Sequence, residues 1–154
     1  MKTTNYLLFL GGLLNFAFAA CQVAISIVPA WAAALGADAL ASNPTLLLVA
    51  GLLVTLLFGI AGLYGLSGAG VLRRLPLLRL GLFVVGSLYT LNGIVFVPQL
   101  LRLMGILPSY QAIQLLPTLA SAAFLLVGLL YLIGLASAWK ALKIRTTHRT
   151  VVAN

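Results

Sequence analysis

Residues 44–66 read PTLLLVAGLLVTLLFGIAGLYGL, with no charged residue among them. A helix rises ~1.5 Å per residue and the hydrocarbon core of a bilayer is ~30 Å thick, so a run of this length crosses it. Thirteen of the residues from Leu46 to Leu66 are Leu, Val, Ile or Phe. At roughly −0.3 to −0.6 kcal/mol each, such side chains together contribute about −4 to −8 kcal/mol toward insertion. That exceeds what Thr55, Tyr64 and the glycines offset, so the helix inserts unaided. Asn43-Pro44 marks its start, an N-cap followed by proline at the first helical position.

Three further runs have the same character: Tyr6 to Trp31, Leu80 to Pro98 and Ile113 to Trp139. The pattern predicts an all-α integral membrane protein, a four-helix antiparallel bundle forming one domain, with a basic tail over residues 140–154. Of the 154 residues, 63% are hydrophobic and 6% charged, with a mean hydropathy of +1.19. A soluble domain carries about a quarter charged residues to keep its surface wet. Pro76 and Pro117 stand near the starts of the third and fourth runs, where a missing N–H costs little. Pro29 and Pro98 stand near the ends of the first and third, positioned to kink or end them. Trp31 and Trp139 fall at opposite ends of the bundle, suited to the two headgroup layers.

The nine Lys and Arg residues face a single acidic residue, Asp38, for a net charge of +8. Such a balance raises nucleic acid as a partner, but the placement of the cations argues against it. Lys2, Arg73, Arg74, Arg79, Lys140, Lys143, Arg145 and Arg149 all flank apolar runs and all fall on one side of the predicted bundle; Arg102 alone falls on the other. The positive-inside rule then puts both termini in the cytoplasm (N-in/C-in) and the 33–43 and 99–112 connections outside. Arg73, Arg74, Arg79, Lys140, Lys143 and Arg145 are the expected contacts to anionic headgroups of the bilayer. Val97 to Pro108 is apolar enough for a connection lying in the outer interface or dipping into it. His148 reads as a solvated tail residue.

Ala17-Phe18-Ala19 and Phe18-Ala19-Ala20-Cys21 have the look of signal-peptidase and lipoprotein cleavage sites. Only Lys2 precedes them, and the apolar run continues to Ala34, so an uncleaved helix is the expectation. The lone Cys21 excludes an internal disulfide and a cysteine-cluster metal site. It is expected to be a buried, inert thiol.

No ionisable residue lies in the middle of a run, which lowers any proton-coupled reading and sets the chain apart from small multidrug exporters with their embedded Glu. The polar residues that remain are neutral. Asn15, Gln22 and Ser26, spaced by seven and four, share one stripe of the first helix. Measured from the middle of each run, Gln22 lies ~6 Å, Asn92 ~4.5 Å and Ser121 ~7 Å toward the outer side. These residues are expected to converge, with Gln22 bonding Asn92 or a backbone carbonyl. They are either interhelical glue or a small polar pocket for a ligand head group. Tyr64 and Tyr131 read as aromatic packing at the inner interface, with a hydroxyl in a site as the lesser reading.

Gly59, Gly62, Gly65 and Gly68 recur every third position, and Ala61, Gly65 and Ala69 form a small-xxx-small row. This face lets another helix approach closely, from the same chain or another subunit. Gly65 to Gly70 lacks the Gly-Lys-Ser/Thr ending and the preceding strand of a phosphate loop. A hairpin repeat is faintly visible, Asn15 and Gln22 echoing Asn92 and Gln99, and Gly59 and Gly65 echoing Gly128 and Gly134; compositional bias produces such matches readily.

The stretch GLYGLSGAG (62–70) running into RRLPLLR (73–79) resembles small uncharacterised four-helix inner-membrane proteins of Gram-negative bacteria. The likeness spans the second run, the basic loop and the third run; it implies location and architecture but no activity. No acid–base pair, activated nucleophile, metal site or cofactor site can be assembled from these residues, so no enzyme and no cofactor is expected. The leading functional expectation is a non-enzymatic interaction or accessory module that packs through its small-residue face against a second copy or a larger membrane partner. The alternative is a carrier or binder of a neutral or lipid-like molecule that uses the Asn/Gln cluster.

Overall fold

The computed structural model describes residues 5–106 and 115–147, with side chains through Trp139. It is all-helical, with no strand among the described residues. Helix α1 (Tyr6–Ile27) is capped by Asn5, whose side-chain oxygen accepts from the backbone N–H groups of Leu7 and Leu8 at 3.2 and 3.3 Å. It stops at Val28, whose backbone is extended (φ −112°, ψ 95°). The cause is Pro29, which disfavours a helical residue before it and then occupies the first position of a new helix. That helix is α2 (Pro29–Ala34), so the first apolar run breaks before Trp31 and restarts at a new angle. A short α3 (Asp38–Ala41) follows.

Helix α4 (Pro44–Gly68) begins with Asn43 accepting from the Leu46 N–H at 3.1 Å and Pro44 at the first position. The basic loop after it is tied down by Ser67. Its hydroxyl donates to the Arg73 carbonyl and accepts from the Leu75 N–H, both at 3.0 Å. Helix α5 (Leu78–Gly93) starts after Leu77, which holds a left-handed backbone at φ 52°. The chain reaches α6 (Phe96–Leu103) through a break of only two residues, Ile94 and Val95, so the third span extends to Leu103. Pro98 therefore does not end it, because it sits in the first turn of α6, where its absent N–H would have had no partner. Helix α7 (Leu115–Thr147) runs past Trp139, and residues 140–147 are helical where a tail was expected. The side chains of Lys140, Lys143 and Arg145, and all of His148 and Arg149, lie outside the described residues.

Four spans are long and apolar enough to cross a membrane: Tyr6–Ile27, Pro44–Gly68, Leu78–Leu103 and Leu115–Trp139. Helix α1 packs most extensively on α4, and α5 on α7, with α7 also touching α1. The start of α1 is fastened to the end of α4 and to α7. The Asn5 N–H donates to the Ala69 carbonyl at 3.4 Å, while Asn5 Nδ2 donates to the Gly134 carbonyl and Ser137 Oγ at 2.8 and 2.9 Å. Leu8, Leu82, Val127 and Tyr131 are buried at the centre. Outward, Leu53, Leu56 and Leu57 expose about three-fifths of their surface, an arrangement that water penalises and hydrocarbon does not.

Candidate functional site

The five polar residues expected to converge are divided by the fold among three settings. Asn15 is fully buried near the centre of the bundle. Its Nδ2 donates to the Gly11 carbonyl at 2.9 Å and to the Tyr131 hydroxyl at 3.0 Å, and its Oδ1 accepts from the Tyr89 hydroxyl. Tyr131 in turn donates to the Ala61 carbonyl at 2.7 Å. One closed network thus joins α1, α4, α5 and α7, and both Asn15 amide hydrogens are used. A buried amide needs such partners, because none is available from lipid. Gly11 and Gly65 make room for the Tyr131 ring: a Cβ built on them would come within 2.8 and 2.6 Å of its atoms.

The network enlarges the expected cluster in one direction. Tyr131 carries a hydroxyl that bridges helices, and Tyr89 was not foreseen at all. A signal for it was present: Tyr89 stands at the middle of the third run, where neither water nor a headgroup reaches a hydroxyl and a buried acceptor has to exist.

Above this network lies an aromatic layer. Phe18, Phe58 and Phe124, on α1, α4 and α7, have ring centroids 5.6 to 6.1 Å apart, and Tyr89 adjoins Phe58 and Phe124 at 6.1 and 5.6 Å. One helical turn further along each element come the other polar groups. Gln22 is four residues from Phe18, Asn92 three from Tyr89, and Ser121 three from Phe124. All three line a pocket of about 480 Å³, with Cys21 beside them and the three Phe rings at one end. Ile25, Leu35 and Pro117 lie toward the other end.

The expected Gln22 to Asn92 bond is not formed. Neither carboxamide makes a hydrogen bond among the described residues; both line the pocket, Gln22 half-buried and Asn92 exposed. Ser121 donates to the Pro117 carbonyl at 2.9 Å, leaving its oxygen able to accept. Ser26 is not part of the pocket. It is buried against Gly51 of α4 and donates to its own helix at the Gln22 carbonyl, at 2.6 Å. Cys21 is exposed on the pocket wall rather than buried.

Compared with protein families, with curated proteins and with solved structures, the chain matches none. What the site does is therefore read from its geometry alone. The small-residue face is largely taken up inside the chain. Gly62 lies under Phe16, Gly65 against Gly12, and Gly68 between Leu8 and Leu82; Ala61 and Ala69 are buried. Only Gly59 of that set has nothing within 4 Å of a Cβ position. Among the cations, Arg73 and Arg74 are exposed, and the Arg79 guanidinium lies 5.2 Å from the Trp139 ring centroid, a cation–π contact at the join of α5 and α7.

Proposed function

We propose that this chain is a multi-pass inner-membrane protein, an antiparallel bundle with both termini cytoplasmic, that binds a neutral, lipid-like small molecule within the membrane. Four apolar spans and the outward leucines support the membrane setting. The fastening of the α1 start to the α4 end supports the antiparallel order, and the eight-to-one distribution of cations supports the orientation. Arg73 and Arg74 then meet anionic headgroups on the cytoplasmic side.

The binding reading is carried by one observation: two carboxamides without partners among the described residues, lining a pocket of about 480 Å³. Amides serving as glue find partners, as Asn15 does. Amides left open in an apolar pocket of this size match the usual composition of a small-molecule site, mostly apolar walls with a few placed polar groups. Among the described residues no acid–base pair lines it, which favours a binder or carrier over an enzyme. An accessory module docking through the glycine face has less to support it, because α1 and α5 already cover most of that face. Self-association or a larger membrane partner would have to use other surfaces.

The test uses Cys21 as a reporter in the purified protein, in detergent micelles. A monoacylglycerol added in excess is expected to slow N-ethylmaleimide labelling of Cys21 and to raise the melting temperature in proportion to occupancy. A panel of neutral amphiphiles that changes neither quantity overturns the reading.

A further inference from the structure

The pocket's three layers say more about the ligand than that it is neutral. At one end the rings of Phe18, Phe58 and Phe124 meet at interplanar angles of 37° to 71°. Aromatic rings associate edge-to-face or offset, and a cluster of three presents a further slot for a flat ring. One turn away stand the Gln22 and Asn92 amides, on different helices, each with an NH₂ to donate. A flat head group with acceptors on two opposite edges satisfies both donors at once, whereas a single ester carbonyl satisfies one. The closed Asn15 network behind the rings offers no further donor, so the polar atoms of a ligand have to stop at the amide layer. Among the described residues, no cation or carboxylate lines the pocket to balance a charged head group.

Resting on the binder reading above, we propose that the ligand is of the alkyl benzoquinone or hydroquinone class. Its ring lies on the Phe18/Phe58/Phe124 cluster, its two ring oxygens meet Gln22 and Asn92, and its tail leaves toward Ile25 and Leu35. A quinone accepts from both amides through their NH₂ groups. A hydroquinone can also donate to their carbonyls, so the pocket holds either redox form and carries out no electron transfer of its own.

The experiment compares a benzoquinone substituted at every ring position, so that the Cys21 thiol cannot add to it, with a monoacylglycerol of equal tail length. Cys21 labelling and melting temperature are read for the wild type, Gln22→Leu and Asn92→Leu. The proposal expects protection by the quinone at lower concentration than by the glyceride, and about a tenfold loss of quinone affinity in each variant, the size of one lost neutral hydrogen bond. Neither amide bonds to a described residue, so both variants are expected to fold, which their unliganded melting temperatures check. Equal protection by the two amphiphiles, or protection by the glyceride alone, overturns the ring assignment and leaves the binder reading standing. Protection by neither overturns both.

Discussion

Asn15 has three hydrogen bonds to lose, and their cost is unequal. An interhelical bond in a membrane contributes about 0.6 kcal/mol on average, but a buried polar group deprived of its partner costs ~1–3 kcal/mol. Asn15→Leu leaves the Tyr89 hydroxyl without its acceptor and is expected to destabilise the protein by about 2–3 kcal/mol. Tyr131→Phe removes a donor to a carbonyl that α4 already uses and leaves one buried Asn15 N–H without its acceptor, and should cost about 1–2 kcal/mol. Gln22→Leu breaks no side-chain bond to a described residue and should fall within about 0.5 kcal/mol of the wild type. Unfolding by SDS titration in micelles ranks the three; a neutral Asn15→Leu would show the network to be energetically idle. The polarity of Asn15, Gln22 and Asn92 within apolar runs was legible in the sequence. The division between bonded and open was not, since it depends on which helix lays a tyrosine beside which amide.

At the scale of elements, the spacing of small residues on α4 announced close packing but not which glycines are used. A Cβ on Gly65 would stand 2.8 Å from the Gly12 Cα, backbone that cannot step aside. Gly65→Val is therefore expected to push α1 from α4 and destabilise the protein by roughly 1–3 kcal/mol. Gly59→Ala meets open space and should be neutral, or stabilising by up to about 1 kcal/mol from helix propensity. The same unfolding titration separates them, and equal effects would contradict the packing described. The helices themselves were plain because length and hydropathy alone determine them. Their ends were less so: the break at Val28 follows directly from Pro29, and the interruption at Ile94–Val95 falls within the turn before Pro98 without ending the span. Most of the apolar connection expected at the outer interface is helical as α6, with none of its residues buried.

For the whole molecule, the proposed orientation makes a direct forecast. In a Cys21→Ser background, Ser42→Cys should react with a membrane-impermeant maleimide in intact cells, and Gly70→Cys only after permeabilisation; the reverse pattern would invert the topology. The pairing of α1 with α4 and α5 with α7 has the form of two hairpins, yet the echoed residues do different jobs. Asn15 sits in the buried network while Asn92 lines the pocket, and Gly59 is open while Gly128 lies against Thr90. The buried network also has a bearing on manufacture. Asn15 and Tyr131 are 116 positions apart, and ribosomes add ~5–20 residues per second. The first helix therefore waits on the order of ten seconds for α7 to supply the remaining acceptor for its amide. A chain halted before that moment leaves one Asn15 N–H without its acceptor in the opening segment, a mark of incompleteness for a membrane protease or chaperone to read. A version stopped after residue 114 should accordingly be cleared faster in a pulse-chase than the same version carrying Asn15→Leu. Equal half-lives would remove Asn15 as the mark.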